Sequence, residues 1–174
     1  AEGPLHMEDF CQLTNKLTEQ KYNGSMEQIC KALRELSSVS GLDAIRFFEL
    51  AIFCYLTGNS DMHLKNFSLI RLKNGSYQLA PAYDLVPVQI VLPEDKEEFA
   101  LPVNGRKTKI RRRDFEIFGK TAKLTDAQIR NAINRIVSSA EKKFPEALAS
   151  SFLPGEKQEG ISQLFADRMK KLQA

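Results

Sequence analysis

Residues 43–84 read DAIRFFELAIFCYLTGNSDMHLKNFSLIRLKNGSYQLAPAYD, and three patterns follow one another within them. From Asp43 to Gly58 the chain is apolar at nearly every position. A helix that is apolar all round is one buried between neighbours, and Gly58 supplies the residue type that ends helices. From Asn66, NFSLIRL and SYQLAPA have strand character, and Asn74-Gly75 reads as a two-residue hairpin turn between them. Between helix and hairpin lies a polar loop that holds Asp61, His63, Lys65 and Asn66 in six positions. The pattern predicts a mainly α domain with a small antiparallel β-hairpin, in which a central helix delivers a charged loop to a fixed place.

The flanking sequence is helical. In SMEQICKALREL, Ser25 is placed to cap a helix with Gln28 three residues on, and Ile29, Leu33 and Leu36 share one face. Beyond the hairpin, residues 86–107 contain Pro87, Pro93 and Pro102 and read as irregular, with a short strand at EFALPV. RRDFEIFGKTA reads as a helix. TDAQIRNAINRIVSSAEK places Ile129, Ile133, Ile136, Val137 and Ala140 on one side behind a Thr125 cap. KFPEALASSF and GISQLFADRMKKL read as two further helices.

Composition narrows the class. At 174 residues and 43% hydrophobic content the chain can bury one core, and a single domain over 1–174 is expected. A net charge of +3 does not argue for nucleic acid. No apolar run approaches ~18 residues, so no membrane span is expected. The opening AEGPLHMEDF lacks the basic-then-apolar layout of a signal peptide. Cys11, Cys30 and Cys54 show no C-x-x-C spacing, which fits a reducing, cytoplasmic setting.

The loop carries the chemistry. Antiparallel pairing brings the two ends of a hairpin together, so Asn66, just before the first strand, is expected near Asp84, just after the second. An amide oxygen and two carboxylates around one volume suit Mg²⁺ shared with phosphate oxygens. In kinase catalysis a loop Asp orients or takes the hydroxyl proton. An Asn five residues later and an Asp beyond the next hairpin hold metal. Asp61, Asn66 and Asp84 match those roles. The same residue types also favour turns and helix ends for their own hydrogen bonds.

"GNSDMHLKNFSLI" and "YQLAPAYDLVP" closely resemble the catalytic segment of the HipA family, bacterial serine/threonine protein kinases of toxin–antitoxin systems. "HMEDFCQ" and "GRKTKI" are similar to that family too, so the likeness runs from about residue 5 to residue 115. The resemblance implies a protein-kinase-like C-terminal lobe, with Asp61 catalytic and His63 and Lys65 in the same active-site loop. It implies that Asn66 and Asp84 hold Mg²⁺ and that ATP donates its γ-phosphate to a protein Ser or Thr. Known targets of the family include aminoacyl-tRNA synthetases, and its usual partner is a small DNA-binding antitoxin.

Alternatives stay open at single residues. His63 either meets phosphate or Asp61, or braces the loop through a backbone carbonyl. Lys65 either faces the transferred group or is a solvated cation. Tyr83 is expected to pack its ring beneath the metal loop. Six cations fall between Arg106 and Arg113; such a run is usually a solvated face, or it meets an acidic partner or phosphate. It lacks the interleaved aromatics of a single-strand binder, and no direct nucleic-acid contact is expected. A two-metal phosphoesterase, suggested by the D-x-H of Asp61 and His63, wants more histidines than His6 and His63.

The glycine-containing stretches KYNGS, KNGSY, VNGRK and LPGEK match neither phosphate-gripping motif, and no V-A-I-K-like lysine precedes Asp61. The nucleotide-gripping lobe is therefore expected to be absent from this chain and to come in cis or in trans. The isolated 174 residues are expected to be nearly inactive. The competing reading is a non-catalytic scaffold that docks an antitoxin or another protein partner.

Overall fold

The structure is a computed structural model that describes residues 3–173. Its first element is a strand that the sequence pattern does not announce, β1 (Met7–Asp9). Three residues, two of them acidic, carry no alternation to read. Asp9 then caps α1 (Phe10–Leu13), its Oδ1 accepting from Gln12 N–H at 2.9 Å while Gln12 Oε1 accepts from Asp9 N–H at 2.9 Å. A 3-10 turn at Thr18–Gln20 leads to α2 (Met26–Leu36), where Ser25 Oγ accepts from Gln28 N–H at 3.2 Å. Met26, Ile29, Cys30 and Leu33 are buried, but Leu36 at the frayed end is exposed.

The central helix α3 (Ser40–Thr57) starts three residues before Asp43. Asp43 sits in its first turn, fully buried, and its carboxylate serves tertiary structure. Oδ2 accepts from Ser37 Oγ at 2.6 Å and from Leu79 N–H at 2.7 Å. One buried carboxylate thus ties helix to hairpin. Gly58 ends α3 at φ +77, and a Cβ there would meet Leu164 Cδ2 at 3.2 Å.

The hairpin is β2 (Ser68–Arg71) and β3 (Tyr77–Leu79), with Leu69 opposite Leu79. Its loop has three residues rather than two. Gly75 N–H donates to Leu72 O at 2.9 Å and Leu72 N–H to Ser76 O at 2.8 Å, with Gly75 left-handed at φ +82. That is the turn-plus-bulge form of hairpin, in which only the last loop residue needs positive φ. β1 adds to the other edge of β2, Asp9 opposite Ser68, so the hairpin becomes a three-stranded antiparallel sheet in the order β1-β2-β3.

The long connection that follows contains a single helical turn, α4 (Val88–Val91). The strand expected at 98–103 does not form. The N–H groups of Glu98 and Phe99 both donate to Lys107 O, and Val103 pairs with Arg106 around Asn104 and Gly105, both at positive φ. The segment is a tight turn pinned at its base, with Phe99, Leu101 and Val103 buried.

α5 (Arg112–Thr121) and α6 (Asp126–Ala149) are held tightly: a Cβ on Gly119 would come within 2.6 Å of Ile129 Cγ1. Thr125 caps α6 as expected. The break expected before KFPEALASSF is absent, and α6 runs on through Pro145. A mid-helix proline forfeits a hydrogen bond; here Phe144 stacks on Phe165 of α7 (Gly155–Gln173) at 4.4 Å and holds that turn in place.

The core gathers Phe47, Phe48, Tyr55, Phe115 and Phe118 around α3, with the Tyr55 hydroxyl donating to Ile110 O at 2.9 Å. All three cysteines are free and buried, and burial pushes the Cys54 thiol up to about 12. The basic run is partly neutralised within the chain: Arg106 lies by Asp114, Lys107 by Glu97 and Arg112 by Glu116. No helix among the described residues is long and apolar enough to cross a membrane.

Candidate active site

The loop after Gly58 is held at many points. Asn59 N–H donates to Cys54 O at 3.0 Å, and Leu64 N–H donates to Lys21 O at 3.1 Å. Met62, Leu64 and Phe67 are buried, the last edge-on to Phe47 at 5.0 Å. Apolar residues thus alternate with Asp61, His63 and Lys65, and each one that plugs the core fixes a polar neighbour. A 3-10 turn over Leu64–Asn66 closes the loop.

Asn66 is buried. Its Oδ1 accepts from His63 N–H at 3.3 Å, and its Nδ2 donates to Asp84 Oδ2. The expected meeting across the hairpin therefore occurs as a direct contact. Asp84 sits on exposed left-handed backbone at φ +55, and its carbonyl accepts from Asn59 Nδ2 at 3.3 Å. Tyr83 ties the two segments, its hydroxyl donating to Lys65 O at 2.7 Å and lying 2.5 Å from Ser68 Oγ.

Asp61 is half-buried. One carboxylate oxygen, Oδ1, accepts from the Tyr22 hydroxyl at 2.9 Å. The Tyr22 ring also meets His63 edge-on at 5.2 Å. His63 is buried with Nδ1 unpartnered among the described residues. Burial first, and then the Lys21 ammonium, push the imidazole below its ordinary value against the opposing pull of Asp61 and Asp84. Its neutral form is favoured, and it stands in the field of both carboxylates.

Lys65 turns elsewhere. Its Nζ lies 3.5 Å from Asp9 Oδ2 and 3.5 Å from Thr18 Oγ1, which points it toward the N-terminal segment. The structure thus brings Asn66 and Asp84 together and sets Asp61 and His63 beside them under Tyr22. Sequence patterns missed Tyr22 and Asp9. KYNGS reads as a turn, and no spacing rule links it to a loop 39 residues on.

The oxygen donors fit a hard cation shared with phosphate. Asp84 is exposed, and the amide oxygen of Asn66 keeps a lone pair beside its bond from His63. Among the described residues no group of three or more His, Cys, Asp or Glu forms a closed cage; two ligands with the rest from water and phosphate is how Mg²⁺ is commonly held. Next to the loop runs an open groove of about 730 Å³, lined by Asp95, Lys96, Lys109 and Arg168 among others. Asp95 Oδ2 accepts from Ser60 Oγ at 2.8 Å, which ties one wall of the groove to the loop.

The family profile for the HipA-like C-terminal domain matches residues 2–144. The chain belongs to this family. A Sinorhizobium fredii protein carrying the name "Putative kinase Y4dM" is 36% identical over 109 residues, covering 62% of this chain and 25% of its own length. A Haemophilus influenzae protein named "Putative kinase" is 31% identical over 146 residues, covering 75% of this chain and 42% of its own length. The chain therefore spans less than half of the curated relatives it matches.

Two solved structures share the fold. HipA of Shewanella oneidensis, in its complex with HipB and operator DNA, superposes with a TM-score of 0.77 at 18% identity, over 97% of this chain and 43% of that one. The Helicobacter pylori proinflammatory kinase CtkA superposes with a TM-score of 0.57, also at 18% identity, over 97% of this chain and 69% of that one. A mostly helical HipA-like C-terminal domain with a small antiparallel sheet is the architecture common to them.

Proposed function

We propose that this chain is the catalytic lobe of a HipA-like protein kinase, transferring the γ-phosphate of ATP to a Ser or Thr hydroxyl of a protein. The observation that carries this reading is the contact of Asn66 with Asp84 across the hairpin, beside an Asp61 that has one carboxylate oxygen bonded among the described residues. Asp61 orients the acceptor hydroxyl and receives its proton. The hydroxyl oxygen bonds to the γ-phosphorus as the bond to the bridging oxygen breaks, and ADP departs with that electron pair. Asn66 and Asp84 are the residues that would hold Mg²⁺, which supplies charge neutralisation of the phosphates. His63 stays neutral and keeps added positive charge out of the loop. Lys65 ties the loop to Asp9.

The groove that starts at Asp95 offers the acceptor a place to lie, and by family likeness an aminoacyl-tRNA synthetase is a candidate acceptor. A DNA-binding antitoxin is the expected partner, consistent with the HipB seen on the Shewanella protein. Since no glycine-rich phosphate loop occurs in these 174 residues, a nucleotide-gripping lobe in cis or in trans is part of the proposal, as is a cytoplasmic setting. Positioning dominates phosphoryl transfer, so the chain alone is expected to be nearly inactive.

The test uses the whole protein. Transfer of labelled γ-phosphate from ATP to protein should fall by about 10²-fold or more in Asp61→Asn and in Asp84→Asn, with Mg²⁺-dependent nucleotide binding lost only in the second. An unmodified protein that binds an antitoxin but neither binds nucleotide nor transfers phosphate would establish the scaffold reading instead.

A further inference from the structure

We infer that Tyr22 is a positioning residue for phosphoryl transfer, fixing which oxygen of Asp61 is presented to the acceptor hydroxyl; this rests on the kinase reading above. Three contacts lock the segment around Tyr22 onto the loop. Lys21 O accepts from Leu64 N–H at 3.1 Å. The Tyr22 ring packs edge-on to His63, with the Lys21 ammonium 4.9 Å from its centroid. Gly24 lies so close that a Cβ would stand 3.2 Å from Leu64 Cδ2. The Tyr22 hydroxyl then reaches Asp61 Oδ1 at 2.9 Å.

A carboxylate on a short side chain can rotate and offer either oxygen. With Oδ1 taken by a donor from a separately anchored segment, Oδ2 is the oxygen left for the acceptor, and no hydrogen bond reaches it among the described residues. Restricting that rotation in advance is the kind of preorganisation that speeds a step whose barrier is mostly geometry. The phenol is itself raised above its ordinary value, by burial first and then by Asp61, which gives the contact a signature independent of turnover.

Two measurements decide it. In the whole protein, Tyr22→Phe keeps the ring and removes only the hydroxyl. It should lower kcat about tenfold while KM for MgATP and the melting temperature stay put. An unchanged kcat, or a loss accompanied by a lower melting temperature, would overturn the positioning role while leaving the kinase reading intact. If Asp61→Asn retains transfer, or the whole protein transfers no phosphate, both fall together. In the 174-residue chain, the ultraviolet titration should lose one of its raised phenol steps in Tyr22→Phe, and that same step should move to lower pH in Asp61→Asn, while the raised steps of Tyr55 and Tyr83 stay in place. A step that stays where it was in Asp61→Asn also overturns the proposal.

Discussion

The two ends of the candidate site are built differently. At the hydroxyl end, the loop from Asn59 to Asn66 is sealed into the domain. Asn59, Ser60, Met62, His63, Leu64 and Asn66 are all buried, and the backbone is tied to both α3 and the Lys21 segment. At the metal end, Asp84 follows an exposed Pro81-Ala82 and precedes an exposed Leu85-Val86. It is held by Asn59 and by Asn66, and the preceding Tyr83 is anchored through its hydroxyl to Lys65 O. On the kinase reading, the buried end presents the group that would meet a hydroxyl with directional precision, and the exposed end presents the group that would meet a cation, whose attraction is long-ranged and tolerant of angle. The buried end specifies and the exposed end accommodates.

The largest effects should come from changing chemistry at the fixed end. Asp61→Asn in the whole protein is expected to slow transfer by about 10²–10⁴-fold, the span typical of removing a general base, with no change in thermal stability. Circular dichroism melts beside the transfer assay separate the two, and a fall in melting temperature would mean that the carboxylate also supports the fold. The support behind the site comes next. Asp43→Ala strands the Leu79 N–H and the Ser37 hydroxyl, at a cost of about 3 kcal/mol, or roughly 6–12 °C in Tm. Stability within about 1 °C of the parent chain would show that the hairpin does not depend on this tie.

A smaller effect follows from His63. Its folded-state value is lowered, so below about pH 6.5 the unfolded chain binds a proton that the folded chain resists. Stability from this group is fully present above pH 6.5 and is lost as pH falls through the lowered folded value. Melting temperatures followed from pH 7.5 to pH 5 should fall less steeply in His63→Gln; equal slopes would mean that the imidazole is free to charge. The smallest effect belongs to Lys65→Ala, which removes a partly buried pair with Asp9 at the long distance of 3.5 Å and should cost about 0.5 kcal/mol. A loss of several kcal/mol would make that pair structural.

The contrast also explains what could be read from sequence. The apolar helix, the hairpin and the meeting of Asn66 with Asp84 follow from periodicity and antiparallel pairing, both local rules. β1 was invisible because Met7–Asp9 is a strand only by pairing with β2. The expected strand at 98–103 does not form because the N–H groups of Glu98 and Phe99 share one carbonyl, Lys107 O, and that of Val103 turns to Arg106 O, in place of a ladder. The break expected before KFPEALASSF gives way to a continuous helix, in which Phe144 stacks on Phe165. Tyr22 escaped for the same reason as β1: its role exists only once a segment 39 positions further along the chain has folded against it. Local patterns located the loop, and tertiary contacts decided how it is held.

The left-handed backbone at Asp84 leaves a trace that natural selection can read. At φ +55 a glycine would be the more comfortable resident of the backbone, by about 1 kcal/mol, and on the kinase reading an aspartate there is a concession from folding to chemistry. A lineage that no longer needs the carboxylate could drift to Asn, which tolerates the same backbone and keeps an oxygen for Asn66 Nδ2. Position 84 is thus a gauge of whether a copy of this fold is still under pressure to work.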